Sequence, residues 1–153
     1  MTRYYEDFEV GQQLFSSEEY VISKESAVDF AREYDPQAQH IDDEMAKDST
    51  FGQLVVSGWQ TAAATMRLKT QTDLMNMAGG LIGIGLENVR WPRPTLPGDR
   101  LRTVITILEK RKSASRKGRG LIKYKAETFN QRDELAMELT ITVIAPLKAQ
   151  DNA

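Results

Sequence analysis

The sequence predicts an α+β fold, and three observations predict it. Ala27, Phe30, Ala31 and Tyr34 repeat at the i, i+3, i+4, i+7 spacing of one buried helix face. A second helical stretch opens at Trp59 with Ala62, Ala63, Ala64 and Met66 leaving little room for a polar face. From Leu81 to Pro146 the chain turns extended, with alternation clearest where Ile122, Tyr124 and Ala126 alternate with Lys123, Lys125 and Glu127.

Each element has a local reason. Ser23 caps a helix from about Lys24 to Tyr34, which Asp35-Pro36 ends. A polar stretch from Gln37 to Gly52 holds a short helical candidate, Asp42 to Lys47, and leads to the apolar run Leu54-Val55-Val56. The helix from Trp59 is expected to continue to about Met75. Strands are expected at Gln13–Ile22, Leu81–Trp91, Arg100–Lys112, Arg119–Asn130 and Glu134–Pro146, with Pro92, Pro94 and Pro97 forcing an irregular connection between the second and third. Four long strands with an apolar face need a cover, and the Trp59 helix is the best candidate. A curved antiparallel sheet around one long helix is the hotdog arrangement.

With 153 residues, 41% apolar and 27% charged, the chain suits one domain spanning 1–153, with Lys148–Ala153 as a loose tail. The net charge of -2, from 20 basic and 22 acidic residues, provides no field to recruit nucleic acid or a membrane. The absence of cysteine removes disulfides, thiolate ligands and cysteine nucleophiles. His40 is the only histidine, which excludes a three-histidine zinc site within one chain; no metal and no separate cofactor are expected. Met1–Gln12 lacks the apolar core of a secretory signal and no run is long enough to cross a bilayer, so a cytoplasmic location is expected.

Three ordered blocks carry more specific information: Phe30 to Asp42 (FAREYDPQAQHID), Phe51 to Trp59 (FGQLVVSGW), and Glu87 to Pro94 (ENVRWPRP) followed by Pro97-Gly98-Asp99. In these blocks the chain resembles the MaoC-like hydratases and dehydratases, which include the (R)-specific enoyl-CoA hydratases. With the final strands, the resemblance spans roughly Asp7 to Pro146. Two positions depart from the family pattern: Tyr34 stands where glycine is common, and Ala38 where proline is common. Loss of that proline predicts a looser loop before His40.

The resemblance implies reversible syn addition of water to a 2-enoyl-CoA, giving a (R)-3-hydroxyacyl-CoA, with coenzyme A carried as part of the substrate. It assigns Asp35 and His40 as the acid-base pair sharing one water, and the Gly58 backbone amide as oxyanion donor. The residue types suit those tasks. An imidazole can both take and give a proton near neutrality. A helix start presents free N–H groups to developing negative charge, and glycine allows a thioester close approach. Without the resemblance, a histidine in a polar loop and an Asp before Pro read as surface and turn residues.

Ser57 reads as a helix cap and, with Trp59, Arg90 and Arg93, as a candidate substrate-binding residue, the two arginines either bracing the loop or lining the thioester channel. Trp59, Met66, Leu68, Leu74 and Met75 are candidates for an acyl tunnel or for core packing. Lys110, Arg111, Lys112, Arg116, Lys117 and Arg119 form a basic run that is either solvated surface or a contact for coenzyme A phosphates. A free sheet edge predicts a homodimer or higher homo-oligomer. Two alternatives stay open: a thioesterase on the same fold, and a noncatalytic acyl-CoA-binding or partner subunit. Against the first, the long helix has no carboxylate before Asp73, whereas thioesterases of this fold usually draw their acid from that helix.

Overall fold

The computed structural model describes residues 1–149. Ahead of the first long helix, β1 (Gln13–Phe15) and β2 (Tyr20–Val21) stand in place of one continuous N-terminal strand. The interruption has a local cause: Ser16 Oγ accepts from Thr103 N at 3.0 Å, and Glu18 N is drawn off to Gln71 Oε1 at 3.0 Å. Side chains have captured the groups that a ladder would use.

Helix α1 (Lys24–Tyr34) begins where Ser23 accepts from Ser26 N at 3.1 Å, and it buries Ala27 and Ala31. Two short helices follow, α2 (Ala38–Ile41) and α3 (Asp43–Lys47). Helix α2 has no counterpart in the sequence reading. Ala38 is its first residue, a position that proline also favours, and the helix carries His40 on its turn.

The long helix α4 (Gly58–Lys69) stops six residues before Met75. Thr70 Oγ1 donates to Arg67 O at 2.6 Å and Thr72 Oγ1 to Lys69 O at 2.8 Å, so hydroxyls occupy the carbonyls of the last turn. Leu74 and Met75 therefore belong to a separate 3-10 turn, Asp73–Asn76, with Leu74 fully buried in the core.

The sheet comprises β3 (Ile82–Arg90), β4 (Arg100–Lys112), β5 (Arg119–Phe129) and β6 (Leu135–Pro146), with β1 at one side; its order is β1-β4-β5-β6-β3, all antiparallel, and β2 also pairs with β4. Inward residues such as Ile105, Ile122, Tyr124 and Val143 form the main core with Phe8 and Leu74. Helix α4 lies on this inner face, where Thr65 Oγ1, Thr128 Oγ1 and Thr103 Oγ1 form a buried hydroxyl chain with links of 2.6 and 2.8 Å. That chain ties α4 to β5 and β4, which fixes the position of its N-terminus. The sheet curled around α4 is the hotdog fold.

At the other end of the expected tail, Lys148 N donates to Glu6 Oε2 at 3.0 Å and the Lys148 ammonium pairs with Asp7. Residues 150–153 of that tail lie outside the described residues.

One inward side chain is costly. Lys69 is 4% exposed, has no carboxylate in ion-pair range among the described residues, and places Nζ 5.1 Å from the centre of the Tyr124 ring. Burial pushes its ammonium down to about 8 from 10.5. The unfolded chain therefore binds more protons between pH 8 and 10.5, and stability contributed by this site rises with pH across that window. Below pH 8 the full cost is present, roughly 3 kcal/mol from the depressed value. Lys69→Met is expected to raise Tm by several degrees at pH 7, with the gain shrinking towards pH 10.5. An unchanged or lower Tm at pH 7 contradicts this.

Candidate active site

Asp35 and His40 meet because two turns converge. Asp35 follows the last residue of α1, its N–H bonded to Ala31 O at 2.8 Å. His40 rides on α2, which is clamped to the segment before α4: Val55 N donates to Gln39 O at 3.0 Å, and His40 Nδ1 lies 2.7 Å from Val55 O. Val56 N then donates to Thr95 O at 2.8 Å, joining this segment to the chain after β3.

The Val55 contact decides the tautomer. A carbonyl oxygen only accepts, so Nδ1 carries the proton and Nε2 is the nitrogen free to exchange one. Nε2 sits 3.3 Å from Asp35 Oδ2. Asp35 is held by both oxygens, receiving Gln37 Nε2 at Oδ1 (2.6 Å) and Ser57 Oγ at Oδ2 (2.7 Å). Burial, the largest single influence, works against the charged carboxylate. The hydrogen bonds from Gln37 and Ser57, with His40 beside them, outweigh it and hold Asp35 below the usual carboxylate range. Asp35 thus rests ionised, and any proton it gives to carbon must first have been received.

A cavity of about 400 Å³ opens on His40, and Asp35 stands behind the histidine, outside the cavity wall. His40, Gly58 and Arg93 line it, with Thr61, Trp91 and Thr95 among the other wall residues. Gly58 opens α4, and its N–H has no acceptor among the described residues, as the first turn of a helix allows. Trp91 covers this glycine: Nε1 donates to Gly58 O at 2.9 Å, and a Cβ on residue 58 would stand 2.9 Å from Trp91 Cε2. The close approach explains why this position requires glycine, although its backbone is ordinary helix.

The remaining sequence candidates fall in different places. Ser57 is fully buried and braces Asp35 while accepting from Trp59 N at 3.3 Å, so it supports the site rather than lining the cavity. Trp59 projects outward, 62% exposed, and meets Trp91 edge-on with centroids 5.4 Å apart. Arg90 is exposed at the end of β3 and absent from the cavity wall, because the strand alternates its side chains. Arg93 lines the wall but is tethered to Glu134 at 2.8 Å. Met66 is exposed and Leu68 is packed in a separate core cluster, so neither lines this cavity.

Two features escaped the sequence reading. Trp91 lay within the quoted Glu87–Pro94 block, but only the fold stacks it on Gly58. Thr61 and Thr95, buried in the wall and joined Oγ1 to Oγ1 at 3.0 Å, left no signal in either segment.

A hotdog whose long helix starts at a covered glycine, beside an Asp–His pair, is the class of protein described by this geometry. The MaoC like domain matches residues 7–129, and the chain belongs to this MaoC-like dehydratase family. It is 39% identical to the MaoC-like dehydratase from Rhodospirillum rubrum, covering 96% of this chain and 99% of that one, with a TM-score of 0.89. The R-hydratase PhaJ1 from Pseudomonas aeruginosa shares the fold at 23% identity, 95% and 86% coverage, and a TM-score of 0.71. A double-hotdog protein from Mycobacterium tuberculosis, Rv0216, is similar at 17% identity and a TM-score of 0.73, over 99% of this chain and 46% of that one.

Proposed function

We propose that this chain is a hydro-lyase that adds water to a 2-enoyl-CoA, reversibly and on one face, to give a (R)-3-hydroxyacyl-CoA. The observation that carries the proposal is the 3.3 Å approach of His40 Nε2 and Asp35 Oδ2, with His40 and Gly58 in the wall of one cavity. In the form that activates water, Nδ1 keeps its proton, Nε2 carries none and Asp35 is ionised, so the two facing atoms both accept. One water can give a hydrogen to each and turn its lone pair towards the substrate. As its oxygen bonds to C3, one O–H bond breaks to the His40–Asp35 pair, and the C2–C3 π electrons move into the thioester enolate. The Gly58 N–H donates to that enolate oxygen, and the pair returns the proton to C2. Nothing beyond the coenzyme A carried by the substrate is required.

The thioesterase alternative would need an acid on α4, yet its sequence GWQTAAATMRLK contains no carboxylate. The test is crotonyl-CoA: loss of the enoyl absorbance without release of free thiol is expected. Thiol release would replace this reading with a thioesterase, and saturable binding without turnover would replace it with a binding module.

The proposed working unit is a homodimer. Strand β3 is a free edge of the sheet, and Ile82, Ile84 and Leu86 on it are more than half exposed. Antiparallel pairing of two β3 edges would satisfy the unpaired backbone groups and bury this apolar surface.

A further inference from the structure

The wall of the His40 cavity is mostly apolar, with Phe51, Val55, Val56, Pro92 and Pro94 in it. Its polar side chains are nearly all engaged. Gln39 Nε2 donates to Gln37 Oε1 at 3.2 Å, Arg93 pairs with Glu134 at 2.8 Å, and Trp91 Nε1 donates to Gly58 O at 2.9 Å. His40 donates from Nδ1 to Val55 O and keeps Nε2 for the water. Thr61 and Thr95 are the exception. They are 1% and 2% exposed, and Thr61 Oγ1 donates to Thr95 Oγ1 at 3.0 Å. Two hydroxyls joined by one hydrogen bond leave one hydrogen over, and the Thr95 hydroxyl has no acceptor for it among the described residues. A buried donor without an acceptor is costly unless something that enters the cavity satisfies it.

The fold holds this pair in place. Thr61 lies in the first turn of α4. Thr95 is fixed by its backbone, whose carbonyl accepts from Val56 N at 2.8 Å, while the following N–H, from Leu96, goes to Asp99 Oδ2 at 2.9 Å. Gly58 and Thr61 share one face of the helix, about 4.5 Å apart along its axis. With the thioester oxygen at the Gly58 amide, that rise matches the separation of the carbonyl carbon and C4 in an extended acyl chain. Beyond Thr61 the same face of α4 is closed. Thr65 is absent from the cavity wall and lies 2.6 Å from Thr128 Oγ1, and Lys69 follows it against the Tyr124 ring. An acyl chain on this path ends shortly after it reaches the two threonines.

We propose that the Thr61–Thr95 pair selects a short 2-enoyl thioester that carries a hydroxyl on C4. A hydroxyl meets both needs of the pair at once: it accepts the spare Thr95 hydrogen and donates to the free lone pairs of Thr61 Oγ1. A methyl group in its place meets neither. A carboxylate can only accept, and it would need a cation that Arg93, already paired with Glu134, does not offer. The assignment rests on the hydratase reading for where the thioester sits.

The test compares 4-hydroxy-2-butenoyl-CoA with 2-pentenoyl-CoA, which match in size and differ only by a hydroxyl in place of a methyl. Wild-type kcat/KM is expected to favour the hydroxylated thioester by at least about tenfold. Thr61→Val/Thr95→Val keeps both shapes and removes the two hydroxyls together, so the fold is expected to hold with Tm unchanged or higher. In that variant the preference is expected to vanish or reverse. No preference in the wild type, or the same preference in the folded double variant, would overturn selection by the pair. Hydration of 2-octenoyl-CoA as fast as crotonyl-CoA would overturn the short limit. If no enoyl thioester is hydrated, the hydratase reading fails by itself, and calorimetry with the same two thioesters decides the subsite. Tighter binding of the hydroxylated one, lost in the double variant, would uphold it; equal binding would overturn it.

Discussion

His40→Ala is expected to lower kcat/KM for crotonyl-CoA hydration by about 10²- to 10⁴-fold, the usual contribution of a positioned acid-base group. The side chain is almost fully buried and its Nδ1 bond to Val55 O helps clamp α2, so some stability goes with it. Asp35→Asn provides the companion measurement. It keeps the shape of the side chain and can still accept from Ser57 or Gln37, but removes the charge facing Nε2. A comparable loss is expected, and the double variant should lose little more than either single one, because the two groups act on one water. Steady-state kinetics with Tm measured alongside decides the matter. Full activity in a folded His40→Ala protein would remove the histidine from the mechanism.

Gly58→Ala is expected to cost about 10²- to 10³-fold in kcat, together with roughly 1–3 kcal/mol of stability. The added Cβ would lie 2.9 Å from Trp91 Cε2, so the indole must shift. Movement breaks the Nε1 bond to Gly58 O and displaces a wall of the cavity beside the amide assigned to the enolate oxygen. The two effects separate experimentally. If Tm falls while kcat of the folded fraction is unchanged, Gly58 serves packing alone and the oxyanion assignment fails.

Much of this architecture was legible in the residues. The α1 boundaries follow from Ser23 and Asp35-Pro36, and β4, β5 and β6 from long stretches of alternation bounded by turns. The pairing of Asp35 with His40 was expected only from the family resemblance of the Phe30–Asp42 block, not from the residue types themselves. Their approach also required α2, and a four-residue helix is too short to leave a periodic trace. The end of α4 was misplaced because propensity from Trp59 to Met75 favours helix throughout. Thr70 and Thr72 stop it by bonding the last carbonyls, a choice made by side-chain geometry. Ser57 was legible as a cap, but its bond to an Asp 22 positions earlier exists only in the folded chain. Lys69 shows the opposite limit: local sequence gave no reason to expect a lysine turned into the core above Tyr124.

In the proposed mechanism, the hydroxyl and the new hydrogen come from one water on one face of the double bond. Hydration of crotonyl-CoA in D2O, followed by NMR of the 3-hydroxyacyl product, measures this directly. Deuterium at C2 on the same face as the C3 hydroxyl is the predicted result. Addition to opposite faces, or a mixture of both, would contradict it.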